Sequence, residues 1–374
     1  MSSLPFAHLL LLEPLGLLYG SSGRMLSPEA LTGRASEQFP PDAPTISGLI
    51  ASQLDRSANV PERERPLYNL HTAGPFCFHT ANNQLWLPAP FTLLQEGNAA
   101  ASESPEAQPL HRLQWDCREG DPPGGAWHAP AGQTIPRKTH TGGWVALNQW
   151  GLVGTNASTA AEPDPLRVHP DPWRAVPHLH PRLRSDERVS EGKNALFLEY
   201  GIALDPDVCL AYLSSHPIPE GRYRFGGEGH LVELRCEKLP DLLVALLQEP
   251  LKGPFALITP GVWGGPRLSR RDPLDTSSRP GIQPWHHEGT PPAILTERPR
   301  PWRHQLGPST QVAQRQSRPR FSRGRWAVPA GTCYRVKREL DPWADWPPHW
   351  FPREGFSFKQ FGTALALPLP PTVR

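Results

Sequence analysis

The sequence has 374 residues, 38% of them apolar, and it contains 48 prolines and 32 glycines. Proline fixes φ and lacks an amide donor, so this content excludes an all-helical protein and predicts many loops and short elements. The formal net charge of +2 excludes an overall polycation, although 32 of the 38 basic residues are arginine. The length fits two domains, or one domain with large insertions.

The first part of the chain predicts a strand, a helix and a hairpin. The apolar run Leu9–Leu12 within residues 6–20 predicts a buried strand and not a signal peptide, because no Lys or Arg precedes it and Glu13-Pro14 ends it early. Thr45 is the expected N-cap of a helix that carries apolar residues at helical spacing up to Leu54. Two apolar runs within residues 74–94 predict a β-hairpin.

The rest of the chain predicts alternating strands and helices, separated by Pro- and Gly-rich segments. Residues 95–135 are expected to form an insertion. The expected elements that follow are a strand pair at 196–200 and 208–213, a Gly-rich loop at 226–229, a strand at 231–235, a helix at 239–247, and strands at 255–259, 327–337 and 361–368. This order favours an α+β fold.

A basic insertion occupies residues 266–325, with 12 arginines, 4 acidic residues and interleaved aromatic residues such as Trp302 and Phe321. Arginine with interleaved aromatic side chains suits single-stranded RNA, whose phosphates are charged and whose bases stack. A solvated arginine-rich loop is an equal alternative. The tightest cluster, Arg318, Arg320, Arg323 and Arg325, leads directly into the strand predicted at 327–337.

The five cysteines are widely spaced, and the sequence has no CxxC pair. This pattern favours neither a zinc site nor a disulfide framework, and it fits a reducing cytoplasm. No apolar stretch is long enough to cross a membrane. We therefore expect a cytoplasmic protein with no metal and no cofactor.

Seven short blocks, taken in order, resemble a known family: the third-numbered subunit of the Cmr complex, a type III-B CRISPR effector. The most distinctive are the Gly-rich loop at 226–229 before a strand, and the run Ala327-Val328-Pro329-Ala330-Gly331-Thr332. The other blocks are Leu12–Gly16 with Gly23-Arg24, Phe39–Pro41 leading to Thr45–Gly48, Gly74–Phe76 with Leu87–Pro90, Glu191-Gly192 with Ala195–Phe197, and Leu257–Pro260. Gly229 stands where the family commonly has an arginine.

The resemblance implies a non-catalytic RNA-binding protein of antiviral defence, a member of the RAMP superfamily. It implies two ferredoxin-like (RRM-like) domains with long Pro- and Gly-rich insertions, at 1–150 and 151–374. The protein would hold the 5′ tag of the CRISPR RNA and contact the large polymerase/cyclase-like subunit and a backbone RAMP subunit. The expected RNA-binding residues are Arg24, Arg182, Gly226, Gly227, Glu228, Gly229, Arg318, Arg320, Arg323 and Arg325.

Two other functions remain open from the sequence. His178 and His180 would share one face of a strand, and a histidine can act as general acid or base in RNA cleavage. The enzyme alternative is therefore a RAMP endoribonuclease that processes precursor CRISPR RNA. The third hypothesis is a scaffold that binds only proteins through its Pro- and Trp-rich surfaces, for which the expected patch is Trp343, Trp346 and Trp350, although packing within the chain is the favoured role of these three residues.

Overall fold

The computed structural model describes residues 3–19, 39–54, 66–97, 109–122, 124–154, 165–181, 196–226, 229–265, 267–277, 281–306 and 320–370. These residues form a predominantly β protein with several antiparallel sheets and little helix. The expected mixture of strands and helices is present, but strands dominate it. Neither α-helix of the described chain has the length and apolar character that a membrane crossing requires.

Two α-helices occur in the described residues, α1 Ala43–Gln53 and α2 Asp241–Gln248. The strands are β1 His8–Pro14, β2 Thr72–His79, β3 Gln84–Pro88, β4 Leu93–Glu96, β5 Leu110–Arg112, β6 Gln114–Asp116, β7 Ala126–His128, β8 Thr139–His140, β9 Trp144–Ala146, β10 Val168–His169, β11 Trp173–Pro181, β12 Leu196–Leu204, β13 Val208–Ser214, β14 Gly221–Phe225, β15 His230–Lys238, β16 Pro254–Leu257, β17 Trp263–Gly264, β18 Ser269–Arg270, β19 Ala293–Leu295, β20 Arg300–Trp302, β21 Gln305–Leu306, β22 Arg320–Phe321, β23 Arg325–Ala327, β24 Cys333–Arg335, β25 Arg353–Glu354, β26 Phe356–Ser357 and β27 Ala366–Pro368. Short 3-10 helices lie at Pro66–Asn69, Leu147–Leu152, Trp343–Asp345, Pro348–Trp350 and Phe358–Phe361.

The first sheet has eight antiparallel strands in the order β10-β9-β3-β2-β13-β1-β15-β14. Strand β1 lies inside this sheet, and both of its faces are covered. Leu9 and Leu11 belong to the core cluster that includes the second sheet, whereas Leu10 and Leu12 pack in the cluster that includes α1. A strand buried on both faces has no polar alternation, which explains the four consecutive leucines.

The second sheet has four strands in the order β19-β24-β16-β27, all antiparallel. Residues 255–257 of β16 and residues 366–367 of β27 contribute buried side chains to the same core as Leu9 and Leu11. The indole N–H of Trp150 also donates to the carbonyl oxygen of Pro368 in β27, at 3.0 Å. The two sheets therefore share one apolar core.

Each sheet contains the strand order of a ferredoxin-like unit. In the first sheet, β1, β2, β13 and β15 lie in the spatial order β2-β13-β1-β15, and α1 connects β1 to β2. In the second sheet, β16, β19, β24 and β27 lie in the equivalent order. Strand β14 stands where the first unit would have its second helix. In the described part of the second unit, the short strands β17 and β18 lie between β16 and β19, and 3-10 helices with β25 and β26 lie between β24 and β27. The strand order of each sheet therefore forms with fewer helices than a ferredoxin-like unit usually has.

Several predicted elements are confirmed and two predictions are wrong in detail. The hairpin at 74–94 is β2 and β3, paired from Cys77 with Trp86. Helix α1 begins at Ala43 after Asp42, so Thr45 lies in its first turn and is not the cap. The strands predicted at 196–200 and 208–213 both form, but they do not pair, because β12 pairs with β11 and β13 lies between β2 and β1.

The division expected at residue 150 does not follow the sheets. It would separate β1 from both of its neighbours, β13 and β15, which come from the second half of the chain. The insertion expected at 95–135 contains the short strands β5, β6 and β7, and the basic insertion at 266–325 contains β18 to β22.

A cluster of large aromatic side chains fills the core next to the second sheet. Trp263, Trp285 and Trp346 contact one another with ring centroids 5.3–6.4 Å apart, and Phe255 and Tyr334 pack against them. Burial of rings of this size compensates for the modest apolar fraction of the sequence.

The Val-Pro-Ala-Gly run forms a tight connection between β23 and β24 at Gly331. This residue has φ of 91°, and its N–H donates to the carbonyl oxygen of Leu257. A methyl group at Gly331 would lie 2.6 Å from the carbonyl oxygen of Ala89 and 2.7 Å from Cε1 of Phe91. The run is recognisable because only glycine fits this position.

We expect Gly331→Ala to lower the free energy of unfolding by about 2 kcal/mol, through the unfavourable φ and the two close contacts. Chemical denaturation measures this change. The matched control is Gly253→Ala, because a methyl group there meets no atom within 4 Å. The control should change stability by less than about 1 kcal/mol, and equal effects of the two substitutions would contradict the explanation.

Candidate nucleic-acid interface

The Gly-rich loop is the turn that joins β14 to β15, at the edge of the first sheet. Phe225 pairs with His230 across the hairpin, and the N–H of Gly229 donates to the carbonyl oxygen of Gly226 at 3.2 Å. Both glycines have positive φ, 76° at Gly226 and 66° at Gly229, and a methyl group at Gly226 would meet no atom within 4 Å. As far as the described residues show, a ligand can therefore approach the Gly226 backbone closely.

Arg224 extends along this turn, although it is not among the RNA-binding residues predicted from the sequence. Its Nη1 would lie 3.5 Å from a methyl group placed on Gly229. Arg222 and Arg224 are both exposed on the edge strand β14. Arg222 stands opposite Glu233, whereas Arg224 stands opposite Leu231, so Arg224 has no acidic residue directly across the strand. The alternation Arg222-Tyr223-Arg224 was the available signal, because it places both guanidinium groups on one face.

Tyr19 brings two histidines together next to the same turn. Its hydroxyl lies 3.1 Å from Nδ1 of His178, its ring stacks on His230 at 5.2 Å, and its backbone N–H donates to Nε2 of His230. Leu18 forms a β-bridge with Ile202 in β12, which fixes Tyr19 between the two elements. The backbone of His180 lies in β11, but its side chain falls outside the described residues.

The last predicted arginines lie on a second feature, the basic hairpin, which we define as residues 300–306 and 320–327. Its strands pair β20 with β23 and β21 with β22. Burial alternates along it, so Trp302, His304, Ser322 and Arg325 form an inner face, and Arg303, Phe321, Arg323 and Trp326 form an outer face. At its base, Arg300 forms an ion pair with Asp42, the residue before α1.

Arg325 is on the inner face, which corrects its assignment as an RNA-binding residue. Only 3% of its side chain is exposed, and its Nη1 lies 2.8 Å from Oε2 of Glu354. The same nitrogen donates to the carbonyl oxygen of Arg323, and the guanidinium lies 4.7 Å from the ring centroid of Phe358. Burial opposes ionisation of Glu354, but Arg325 and the backbone N–H of Arg323 outweigh it and lower the pKa of this carboxyl.

The outer face of the hairpin carries exposed side chains, of which only Arg323 was predicted to bind RNA. The Arg323 side chain is 72% exposed, with its Nε 3.9 Å from Glu354. Phe321 is 40% exposed and Trp326 is 54% exposed. The Arg303 guanidinium lies over the Phe321 ring, 4.7 Å from its centroid. Trp326 therefore presents its side chain to solvent.

The remaining predicted positions lie largely outside the described residues: Arg24, Arg182, Gly227, Glu228 and Arg318 entirely, and Arg320 in its side chain. They stay predictions. Trp343, Trp346 and Trp350 are buried, with indole N–H groups of Trp343 and Trp346 bonded to backbone carbonyls, so they do not form a surface patch for a partner.

Cysteine and metal chemistry contribute no second candidate site in the described part of the chain. All five cysteines are unpaired. Burial raises the pKa of Cys209 and of Cys333 to about 12, so both thiols stay protonated. Among the described residues, no three His, Cys, Asp or Glu side chains are grouped closely enough to hold a metal ion.

The fold and these surfaces define a class: a predominantly β protein of antiparallel sheets that presents exposed arginine and aromatic side chains on a sheet edge and a hairpin. The sequence, over most of its length, identifies the family. The chain belongs to the family of the CRISPR-associated protein Cas_Cmr3, whose model matches residues 26–367. This confirms the resemblance found in the seven sequence blocks. None of the curated proteins matches the chain significantly.

Solved structures of CRISPR complexes contain chains similar to this one. A chain of a type III-B Cmr-beta complex bound to cognate target RNA is 11% identical, with 87% of this chain and 86% of that chain covered and a TM-score of 0.48. A second structure of that complex, with AMPPnP, gives 12% identity, the same coverage and a TM-score of 0.46. A chain of a Csm1–Csm4 cassette in complex with pppApA is 11% identical, with 89% and 93% covered and a TM-score of 0.32.

Proposed function

We propose that this protein is a non-catalytic RNA-binding subunit of a type III-B CRISPR ribonucleoprotein in the cytoplasm. It holds the 5′ tag of the CRISPR RNA and closes one end of the complex beside the large polymerase/cyclase-like subunit. The observation that carries the RNA-binding proposal is the open turn at Gly226 and Gly229 on an edge strand, with the Arg224 guanidinium along it. Membership of a CRISPR-associated family supports the assembly and its partners, including the backbone RAMP subunit.

The physical basis for RNA binding at this turn is access to the backbone combined with positive charge. Glycine lacks a Cβ atom, so its amide can approach a sugar-phosphate more closely than that of any other residue. Arg224 adds a planar guanidinium that can donate two hydrogen bonds to one phosphate. The family commonly has an arginine at the position of Gly229, and Arg224 supplies a guanidinium beside that position from the neighbouring strand.

We also propose that the two sheets are two ferredoxin-like domains, spanning residues 8–238 and 254–368. The equivalent strand orders of the two sheets support this assignment. It replaces the division at residue 150, because β1 needs both β13 and β15 to complete its sheet. The long excursion between β2 and β13 is then an insertion within the first domain.

Substitution of Arg224 tests the contact directly. We expect Arg224→Ala to weaken RNA binding across different sequences and to lower the slope of log K against log salt by about one, because one phosphate contact is lost. Fluorescence anisotropy with a labelled tag RNA at several salt concentrations measures both quantities. Arg338→Ala is the control, as an exposed arginine that belongs to neither candidate surface. An unchanged salt slope for Arg224→Ala would remove this residue from the interface.

The subunit role has its own experiment. The assembled complex is purified through a tag on this chain, and the 5′ ends of the bound RNA are sequenced. The proposal predicts one repeat-derived 5′ sequence in most molecules. Recovery of random RNA, or of no RNA, would contradict it.

One observation favours the endoribonuclease as a second candidate, since two imidazoles, His178 and His230, flank the Tyr19 ring. A general acid and a general base are the minimum that RNA cleavage without a metal requires. Purified protein incubated with precursor RNA in a chelating buffer separates the two functions. The RNA-holding role predicts unchanged RNA, whereas cleavage that is lost in His178→Ala would establish the enzyme.

A further inference from the structure

The outer face of the basic hairpin is a built surface rather than a loose arginine-rich loop. Its inner face is anchored by Trp302 and His304, which pack on Phe358 with ring centroids 4.7 Å and 5.6 Å away. The Arg325–Glu354 ion pair fixes the opposite strand. The backbone N–H of Trp326 donates to the hydroxyl of Ser269 at 3.0 Å. The strands that carry the exposed side chains are therefore held in place before any ligand arrives.

The composition of this face is unusual for a solvated surface. Trp326 and Phe321 are exposed on it, and among the described residues they are the two exposed large hydrophobic side chains that are aromatic. Arg303 and Arg323 lie on the same face. Nε of Arg303 donates to the carbonyl oxygen of Ser322, and Glu354, 3.9 Å from Nε of Arg323, is bonded to Arg325 and to the backbone N–H of Arg323. The face thus presents flat apolar rings together with positive charge.

We propose that this face binds single-stranded RNA by stacking bases on Trp326 and Phe321, while Arg303 and Arg323 contact the neighbouring phosphates. The inference rests on the proposed RNA-binding function and adds a site to it. Single-stranded RNA is the occupant because it combines a negative charge with a π-face on every nucleotide and is the ligand of the proposed function, and stacking on aromatic rings accepts any base. The Arg303 guanidinium over the Phe321 ring extends the flat surface available to a base.

The site has a signature that distinguishes stacking from charge. Loss of a stacking ring weakens binding by about 5- to 150-fold and leaves the salt dependence unchanged, because no phosphate contact is lost. Loss of an arginine lowers the salt slope by about one. In the same titration, Trp326→Ala should therefore change the affinity without changing the salt slope, whereas Arg323→Gln should lower the slope.

The test uses the full chain and a fluorescein-labelled oligouridine of about 20 nucleotides, with anisotropy followed at several salt concentrations. We expect Trp326→Ala to bind 5- to 150-fold more weakly at an unchanged salt slope, and Trp326→Phe, which keeps a ring, to bind within about threefold of the unchanged chain. Arg323→Gln should lower the slope. Because the Trp326 side chain is exposed, the melting temperature of Trp326→Ala should match that of the unchanged chain, so an affinity loss is not a folding defect.

Three other outcomes would contradict the inference, and each has a different meaning. If the unchanged chain binds RNA and Trp326→Ala binds equally well, the stacking site is wrong while the RNA-binding function stands. If Trp326→Ala keeps its RNA affinity but no longer purifies with the other subunits, the face is a protein interface. If the unchanged chain binds no RNA, both the site and the proposed function are overturned.

Discussion

Replacing Glu354 with leucine is expected to lower the free energy of unfolding by about 3–5 kcal/mol, because it leaves the buried Arg325 guanidinium without a counter-charge. Water cannot solvate the Arg325 guanidinium in place of Glu354, since only 3% of this side chain is exposed. Its remaining contacts, the carbonyl oxygen of Arg323 and the Phe358 ring, do not neutralise a full positive charge. Chemical denaturation of the full chain measures the loss.

Two comparisons isolate the ion pair as the cause. Arg323→Leu removes a mostly exposed arginine from the same hairpin and should cost less than about 1 kcal/mol. The double substitution Arg325→Leu with Glu354→Leu should be more stable than Glu354→Leu alone, because no unpaired charge stays buried. A double variant as unstable as the sum of both single variants would mean that packing, not charge, explains the loss.

The second large effect is a loss of stability on acidification that originates at His304. The pKa of His304 is lowered from 6.5 to about 4, mainly by burial; Glu354 opposes this shift and Arg325 contributes to it. Its Nδ1 has no hydrogen-bond partner among the described residues, so the neutral ring is favoured. Since the unfolded chain binds a proton at higher pH than the folded chain, the stability is fully present above pH 6.5 and is lost as pH falls toward 4. The full loss is about 3 kcal/mol.

His304→Phe should remove this pH dependence, since phenylalanine keeps a ring against Trp302 and Phe358 without a titrating group. Between pH 7.5 and pH 5.0, the unchanged chain should lose about 2 kcal/mol more than the variant, a range that avoids protonation of Glu354. His287→Phe, at an exposed histidine, is the control and should behave like the unchanged chain. Parallel pH curves for the unchanged chain and His304→Phe would contradict the assignment.

The sequence predicts the elements of this protein better than it predicts how they pair. The Leu9–Leu12 run and the hairpin around Asn82 depend on neighbours along the chain, and both are confirmed. The strands 196–200 and 208–213 were expected to pair because they are adjacent, yet Asp207, with φ of 61°, lies in a turn that leads β13 into a different sheet from β12. Long-range pairing of this kind has no local signal.

At the candidate sites, the sequence likewise does not predict on which face of a strand each side chain lies. Arg323 and Arg325 were predicted together as RNA-binding residues, but burial places one on each face of the hairpin. The extra residue Gly324, which sets this arrangement between Ser322 and Arg325, is visible only once the pairing with β20 is known. Trp326 and Arg224 escaped prediction for the same reason, because exposure on a strand depends on what covers each face.

RNA binding by this chain is tested most directly by ultraviolet crosslinking of the assembled complex, followed by mass spectrometry of the peptides joined to RNA. We predict crosslinks from the repeat-derived 5′ tag to the segment around Arg224 and the Gly226–Gly229 turn, and RNA crosslinks to Phe321 and Trp326 on the basic hairpin. An intact complex whose RNA crosslinks only to other subunits, with none to this chain, would contradict it and would favour a scaffold that binds only proteins.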